Sequence, residues 1–432
     1  MDRKGKYQHL LHVALLWGGS LAGAALTFVL QILLGRSLGP HDYGTFANAL
    51  SQVTVLSQFA GFGLQIFWLR AFGEEGWQAQ RWIPASLKFI SLSSLVTLTA
   101  YISWVIFGPN ESRGQYALII LSPAILGFAA IELVASKLQL EQRFSLLSAW
   151  NVAHNFFRLV LVAIILTAAK DIDRLIAVCT IYSFVAIAII IYAYTQIREM
   201  GSASFSLKGH GSPIHEKNFP SPVPQISSIA KESWLYGLDA VLFLAYFQCS
   251  NILLKYMDGD KAAGQYFAAF TIMNAVYLLP TVLYTKYLLS RIHRWAHSNK
   301  SKLLRVFKLG SAIMLLAGIL GTIAIWLIAP HVWGLLYGNE YNSALDILFV
   351  LALCAPLKFM STSVGSILTT GRYIRARVTV KIIGVIACFI LNIMLIPIYG
   401  VIGAAVATVI AELVILMLFI EVARRNYHFI FK

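Results

Sequence analysis

Long apolar runs recur along this chain, and each is long enough to require a solvent other than water. Twelve can be delimited, at residues 11–35, 43–67, 83–107, 115–136, 146–169, 175–197, 234–255, 265–289, 303–329, 344–369, 378–397 and 401–422. At 1.5 Å per residue each spans about 30 Å of hydrocarbon as a helix. The first run is longer than a signal-peptide core and is expected to stay in place as a helix. Between the sixth and seventh runs lies the one long stretch unfit for hydrocarbon, residues 198–233, rich in Gly, Ser, Pro and charge. It has no apolar periodicity and reads as an aqueous linker. The expected organisation is a six-helix bundle over 1–197, a cytoplasmic linker over 198–233 and a second six-helix bundle over 234–432.

Composition agrees. Of 432 residues 58% are hydrophobic and 12% charged, and the mean hydropathy is +0.72, so too little polar surface exists to cover a soluble domain. A net charge of +15 suggests nucleic acid in a soluble protein. In a polytopic membrane protein it has to be read loop by loop. Cys179, Cys249, Cys354 and Cys388 all sit inside apolar runs without metal-type spacing, so they read as small packing residues rather than a disulfide framework or zinc site. No nucleotide-binding loop, metal-ligand cluster or nucleophile elbow occurs, and no cofactor is expected.

An even number of spans puts both termini on one side. One set of loops carries Arg70, Arg81, Lys137, Arg143, Arg198, Lys208, Lys217, Lys231, Arg291, Arg294, Lys300, Lys302, Arg305, Arg372, Arg375, Arg377, Arg424 and Arg425. The opposite set holds Arg36, Arg113, Lys170, Arg174 and Lys261, offset by Asp42, Glu111, Asp171, Asp173, Asp258 and Asp260. Positive charge favours the cytoplasmic side, which places the termini and the linker there. The opposite loops are short and leave no room for an extracytoplasmic catalytic domain. The sequon Asn110-Glu-Ser112 lies in one of them, close to the membrane, and is discounted.

Two of the short turns resemble each other. Gly39-Pro-His-Asp-Tyr43-Gly-Thr-Phe follows the first run, and Gly259-Asp-Lys-Ala-Ala-Gly264-Gln-Tyr266-Phe follows the seventh. With six runs before the linker, both halves begin on the same side. The repeat is therefore parallel, about an axis along the membrane normal.

The stretches Leu34-Gly-Arg-Ser-Leu-Gly-Pro-His-Asp-Tyr-Gly-Thr-Phe46, Leu336-Tyr-Gly-Asn-Glu-Tyr-Asn-Ser-Ala344 and Leu391-Asn-Ile-Met-Leu-Ile-Pro-Ile-Tyr-Gly-Val-Ile-Gly-Ala-Ala-Val-Ala-Thr408 resemble those of bacterial polysaccharide exporters, the O-antigen flippases. These belong to the multidrug/oligosaccharidyl-lipid/polysaccharide superfamily. The resemblance implies an all-α membrane protein with two six-helix bundles around a central lumen. It also implies that an undecaprenyl-pyrophosphate-linked oligosaccharide is moved between leaflets of the bacterial inner membrane for O-antigen, lipopolysaccharide or other surface polysaccharide. Partners would be that lipid-linked glycan, membrane lipids and other polysaccharide-assembly proteins, with no nucleic acid. The motifs are turns and helix contacts, silent on the sugar.

Polar residues repeating at helical spacing mark faces turned away from lipid. In the fifth run Asn151, His154, Asn155 and Arg158 share one face. Similar stripes are Ser51, Thr54, Gln58 and Gln65; Ser20, Thr27 and Gln31; Gln248, Asn251 and Lys255; Asn274, Tyr277, Thr281 and Tyr284; and Lys358, Ser361, Thr362 and Thr369. Expected lumen residues are therefore Arg158, Lys358, His154, Asn155, Asn151, Gln58, Gln31, Asn251 and Asn274. Arg158 and Lys358 lie mid-segment, where a cation facing lipid costs about 2.5–3.5 kcal/mol on insertion scales. Such a cost requires a partner. A pyrophosphate is one; an ion pair with Glu412 or Asp239 is the alternative. Lys88, Lys255, Lys286 and Lys381 lie nearer segment ends and are expected to snorkel. Glu132, Asp239 and Glu412 are the candidate coupling groups.

Small residues at Gly19 and Gly23, and at Gly400, Gly403, Ala404 and Ala405, are expected to let helices approach closely. Pro123, Pro280 and Pro356 are expected to bend their helices. Two other readings stay open. A drug/cation antiporter of the same superfamily needs acidic groups at depth, where this chain has more cations. A glycan polymerase or ligase needs a large outer loop, which it lacks.

Overall fold

Backbone groups in hydrocarbon have to satisfy one another, and a helix does so within one segment. The computed structural model describes residues 3–168, 172–202, 205–207, 224–281, 284, 300–368 and 374–426, and among them there is no strand. Lys170, Asp171, Lys208, Lys217, Lys286, Arg291, Arg294, Thr369 and Arg372 lie outside the described residues, as do the side chains of Lys300, Lys302 and Arg305.

The helices are α1 (Arg3–Gly61), α2 (Leu64–Glu75), α3 (Trp82–Phe107), α4 (Ser112–Leu121), α5 (Pro123–Leu140), α6 (Phe144–Ala168), α7 (Arg174–Gly201), α8 (Ile226–Asp258), α9 (Asp260–Thr281), α10 (Lys300–Tyr337), α11 (Asn342–Ala352), α12 (Cys354–Ile367) and α13 (Ile374–Asn426). A 3-10 turn, Gly76–Arg81, joins α2 to α3. Eight described runs are long and apolar enough to cross a membrane, or nine with the bent pair of α11 and α12 taken as one span. Two of these runs hold more than one of the twelve segments. α1 breaks at Gly39 (φ 72°, ψ 169°), and the Tyr43 hydroxyl reaches back 3.2 Å to Gln31 across the turn. α13 breaks at Gly400 (φ 54°, ψ −134°). The chain is a multi-pass all-α membrane protein.

Two compact units divide the chain. The first comprises Met1–Leu30 and Ala49–Leu244, the second Gln31–Asn48 and Ala245–Lys432. The cuts fall inside α1 and α8.

In the first unit α1 lies on α6. A Cβ at Gly19 would collide with Ser148, and one at Gly23 would sit 2.6 Å from the Asn151 carbonyl oxygen. α5 packs along α7 and α6. At one end of α5 a fully buried Lys137 (1% exposed) pairs with Glu199 and, at 3.6 Å, with Glu141 (4% exposed), and donates to Gln196 at 2.7 Å. The place of Lys137 in the sequence suggests a loop cation, and the structure buries it instead. Its burial follows from two carboxylates and an amide closing around it. At the other end Asp173 caps α7, accepting from the Leu175 and Ile176 amides at 3.0 and 3.3 Å, while Arg113 grips both of its oxygens at 3.0 Å.

The expected linker is partly anchored. Phe205 and Leu207 are buried in a core with Phe72, Trp77 and Ile229, Phe205 meeting the Trp77 ring at 5.2 Å between centroids. α8 begins at Ile226, ahead of the expected start at 234.

In the second unit the two similar turns meet. A Cβ on Gly44 would overlap the Asp260 carbonyl oxygen, and a Cβ on Gly264 would overlap the Pro40 carbonyl oxygen. The contact is reciprocal, as between two copies related by a two-fold axis, and it agrees with the parallel repeat read from the sequence. Gly39 (φ 72°) and Gly259 (φ 94°) occupy matching left-handed positions at the head of each turn, where a Cβ is strained.

Two expectations follow from these contacts. Gly264→Val forces backbone apart and is expected to cost about 1–3 kcal/mol, seen as a lower unfolding temperature of the purified protein; Gly18→Ala, at a site where a Cβ meets nothing, should leave it unchanged. The Arg113 hydrogen bonds hold the Asp173 carboxyl below the usual carboxylate range. Its folded-state pKa is depressed, so the stabilisation is present above a pH of about 4 and is lost as pH falls through the lowered value. The pair is largely exposed, so Asp173→Asn is expected to cost under about 1 kcal/mol and to flatten that acid limb in a thermal-unfolding series.

Candidate functional site

α12 presents Lys358 and Ser361 on one face, three residues apart, and α10 presses close behind it, since a Cβ on Gly318 would overlap Pro356. Opposite lies Glu412 of α13. Lys358 Nζ is 3.2 Å from Glu412 Oε2, the Ser361 hydroxyl donates to Oε1 at 2.5 Å, and the Tyr246 hydroxyl of α8 donates to Oε2 at 2.8 Å. One ammonium and two hydroxyls thus converge on a single carboxylate. Glu412 is 2% exposed and Lys358 16%.

Two rings close over the lysine, with Nζ 4.7 Å from the Phe247 centroid and 5.3 Å from that of Tyr246, within cation–π range. These groups, with Tyr266, Phe270, Tyr277, Cys354 and Thr408, line a cavity of about 10 Å³. That is room for about one water and nothing larger. A second polar layer lies one helical turn away, where Thr408 meets Ser250 at 3.0 Å and Tyr266 at 2.9 Å and Asn392 donates to Ser250 at 3.1 Å.

The first unit holds a cation in a different setting. Arg158 of α6 is 4% exposed, and its guanidinium carbon lies 4.9 Å from the Phe128 centroid and 5.1 Å from that of Tyr182. Its Nε and Nη2 have no hydrogen-bond partner among the described residues. Arg158 and Lys358 thus each lie between a phenylalanine and a tyrosine, and of the two only the lysine has a hydrogen-bonded carboxylate among the described residues.

The remaining expected residues are spread over both units. On α6, His154 Nδ1 lies 2.8 Å from the Trp150 carbonyl oxygen and Asn155 donates to the Asn151 carbonyl at 3.3 Å. Asn151 and Asn155 face the Gly23 position of α1, so this part of the stripe meets a helix. Gln58 is half-buried beside Ser57, and Gln31 is held by Tyr43. Asn251 is fully buried, with its carbonyl accepting from Asn48 at 3.4 Å. Asn274 and Asp239 are half-buried and Glu132 is exposed. Of the candidate residues on different helices, the structure brings Lys358 and Glu412 into direct contact.

One expectation needs correction. Lys255 does not snorkel; it is 7% exposed and pairs with Asp260 at 3.1 Å, because the turn at Gly259 folds the start of α9 back onto it. Residues that periodicity did not single out are Tyr246, Phe247, Phe128 and Tyr182, whose rings carry no helical-spacing signal among so many aromatics. Ser361 was visible in the stripe, but its link to Glu412 was not.

With this geometry in view, residues 12–289 match the family described as polysaccharide biosynthesis protein. The chain is 28% identical over 200 residues to the "Probable flippase AglR" of Haloferax volcanii, a match covering 45% of this chain and 41% of that relative. The chain thus spans about two fifths of the length of the curated relative it matches. Its fold is similar to an inward-facing multidrug resistance MATE family transporter of the MOP superfamily, with TM-score 0.71 and 15% identity over 94% of this chain and 95% of that one. It is also similar to the lipid II flippase MurJ in an inward closed conformation, with TM-score 0.68 and 15% identity over 98% and 92% of the two chains.

The buried lysine of α5 gives a stability test separate from these sites. Lys137→Met leaves Glu141, at 4% exposure, with only the 3.4 Å contact from Arg143 as an ion pair among the described residues and is expected to cost up to about 3 kcal/mol. Adding Glu141→Gln should restore most of the lost unfolding temperature.

Proposed function

Because the chain belongs to the polysaccharide biosynthesis protein family, we propose that it is a flippase moving undecaprenyl-pyrophosphate-linked oligosaccharide repeat units across the cytoplasmic membrane by alternating access. The product would be O-antigen or another surface polysaccharide, with both termini on the cytoplasmic side and lipid-linked glycan as the partner. The observation that carries this reading is the buried ammonium of Lys358, set among hydroxyl donors and aromatic rings. An ammonium and hydroxyls suit a phosphate oxygen, and rings suit sugar or isoprenoid faces.

Arg158 is assigned the second anionic contact. Its guanidinium offers the fork geometry that phosphate accepts, and two of its nitrogens make no hydrogen bond among the described residues. His154, Asn151, Asn155, Gln58, Gln31, Asn251 and Asn274 are assigned to the polar path. Glu132, Asp239 and Glu412 are the groups assigned to coupling. Among the described residues no group of His, Cys, Asp and Glu is arranged to hold a metal ion, and the reading uses none.

A drug-extruding antiporter shares the fold, and fold alone does not choose a substrate. Lys358→Ala and Arg158→Ala are each expected to abolish surface polysaccharide in complemented cells while the protein remains in the membrane. Full complementation by both single variants overturns the reading. Drug resistance conferred by the parent protein on sensitive cells points to the antiporter instead.

A further inference from the structure

We propose that Glu412 is a built-in stand-in for the substrate's phosphate, occupying the Lys358 cradle when substrate is absent and leaving it when substrate binds. This rests on the reading of Lys358 as a substrate contact and adds to it a positioning residue that sets how tightly the site holds.

Three donors converge on one anion. Lys358 Nζ at 3.2 Å, the Ser361 hydroxyl at 2.5 Å and the Tyr246 hydroxyl at 2.8 Å all address the Glu412 carboxylate. None of these donors is specific to a carboxylate. A phosphate or pyrophosphate oxygen pair presents acceptors at nearly the same spacing and accepts from the same groups.

Space makes the exchange obligatory. The cavity beside the pair holds about 10 Å³, which admits about one water and no phosphate. A phosphate reaches Lys358 only if the carboxylate vacates its place.

Charge makes the exchange useful. A buried cation stripped of its anion is strongly unfavourable, so an empty site with Lys358 alone would either fail to form or hold the substrate too firmly to release it. A resident carboxylate neutralises the lysine on the empty return step and competes with the substrate on the loaded one. A transport site has to bind well enough to load and weakly enough to unload. Arg158, without a hydrogen-bonded carboxylate among the described residues, lacks this device.

The test uses the full-length protein in detergent, with undecaprenyl pyrophosphate as ligand, undecaprenol as the uncharged control and inorganic pyrophosphate as competitor. Glu412→Gln keeps the side-chain volume and one oxygen acceptor, enough for Ser361 or Tyr246 but not both, and removes the competing charge. It is expected to bind undecaprenyl pyrophosphate about tenfold more tightly than the parent while flipping it more slowly in proteoliposomes. Ser361→Ala loosens the carboxylate without removing it and should shift affinity the same way by a smaller factor, which keeps the test open if Glu412→Gln fails to fold. Lys358→Met should lose the preference for the pyrophosphate over the alcohol. Both of the first two variants binding no more tightly than the parent, with Lys358→Met still impaired, overturns the stand-in role and leaves the substrate reading intact. A parent and a Lys358→Met variant that bind equally overturn both. Competition by inorganic pyrophosphate assigns recognition to the phosphate group; its failure, with undecaprenol bound as well as the pyrophosphate, shows recognition of the lipid chain and overturns the proposal.

Discussion

A charge placed inside a helical membrane protein has to be neutralised or cradled within reach of its own side chain, because neither lipid nor water is at hand to do it. This constraint accounts for the most specific features of the molecule. Lys137 is enclosed by Glu199, Glu141 and Gln196, Lys255 by Asp260, and Lys358 by Glu412, Ser361 and Tyr246. Arg158 relies on the faces of Phe128 and Tyr182. The first two pairs sit near helix ends and fasten neighbouring segments. The last two lie in mid-segment, away from the helix ends.

Close helix packing puts these groups where they meet. Glu412 comes from α13, Lys358 and Ser361 from α12, and Tyr246 from α8, so the cradle exists only if three helices hold their registers to within a side chain's length. Glycine contacts enforce that register. Gly318 lets α10 seat against Pro356 at the base of α12, and Gly44 and Gly264 interlock the turns at Gly39 and Gly259. The interlock is reciprocal, each turn's glycine lying against the backbone of the other.

A fold shared at 15% identity with a multidrug transporter and a lipid II flippase says that helix order and packing are general-purpose. What distinguishes the chemistry is the sign of the deep charges and what surrounds them. Here the mid-segment cations Arg158 and Lys358 are a guanidinium and an ammonium, with the buried Glu412 carboxylate bonded to the ammonium. Under the proposed function, that arrangement is what an anionic cargo would use.

The apolar segments, their turns and the parallel repeat were legible in the sequence because they depend on local properties: segment length, hydropathy, and glycine at positions that need a left-handed backbone. Lys358, Glu412 and Arg158 were visible as deep charges for the same reason. Which of them touch was not, since Lys358 and Glu412 are joined only by the packing of α12 on α13. The sequence left an ion pair and a phosphate as rival partners for the lysine, and read Lys137 and Lys255 as solvated or snorkelling cations. Tertiary structure decided which carboxylates each lysine meets in this structure: burial and pairing of a side chain depend on which helix lies opposite, and that is a property of the packed molecule rather than of any one segment.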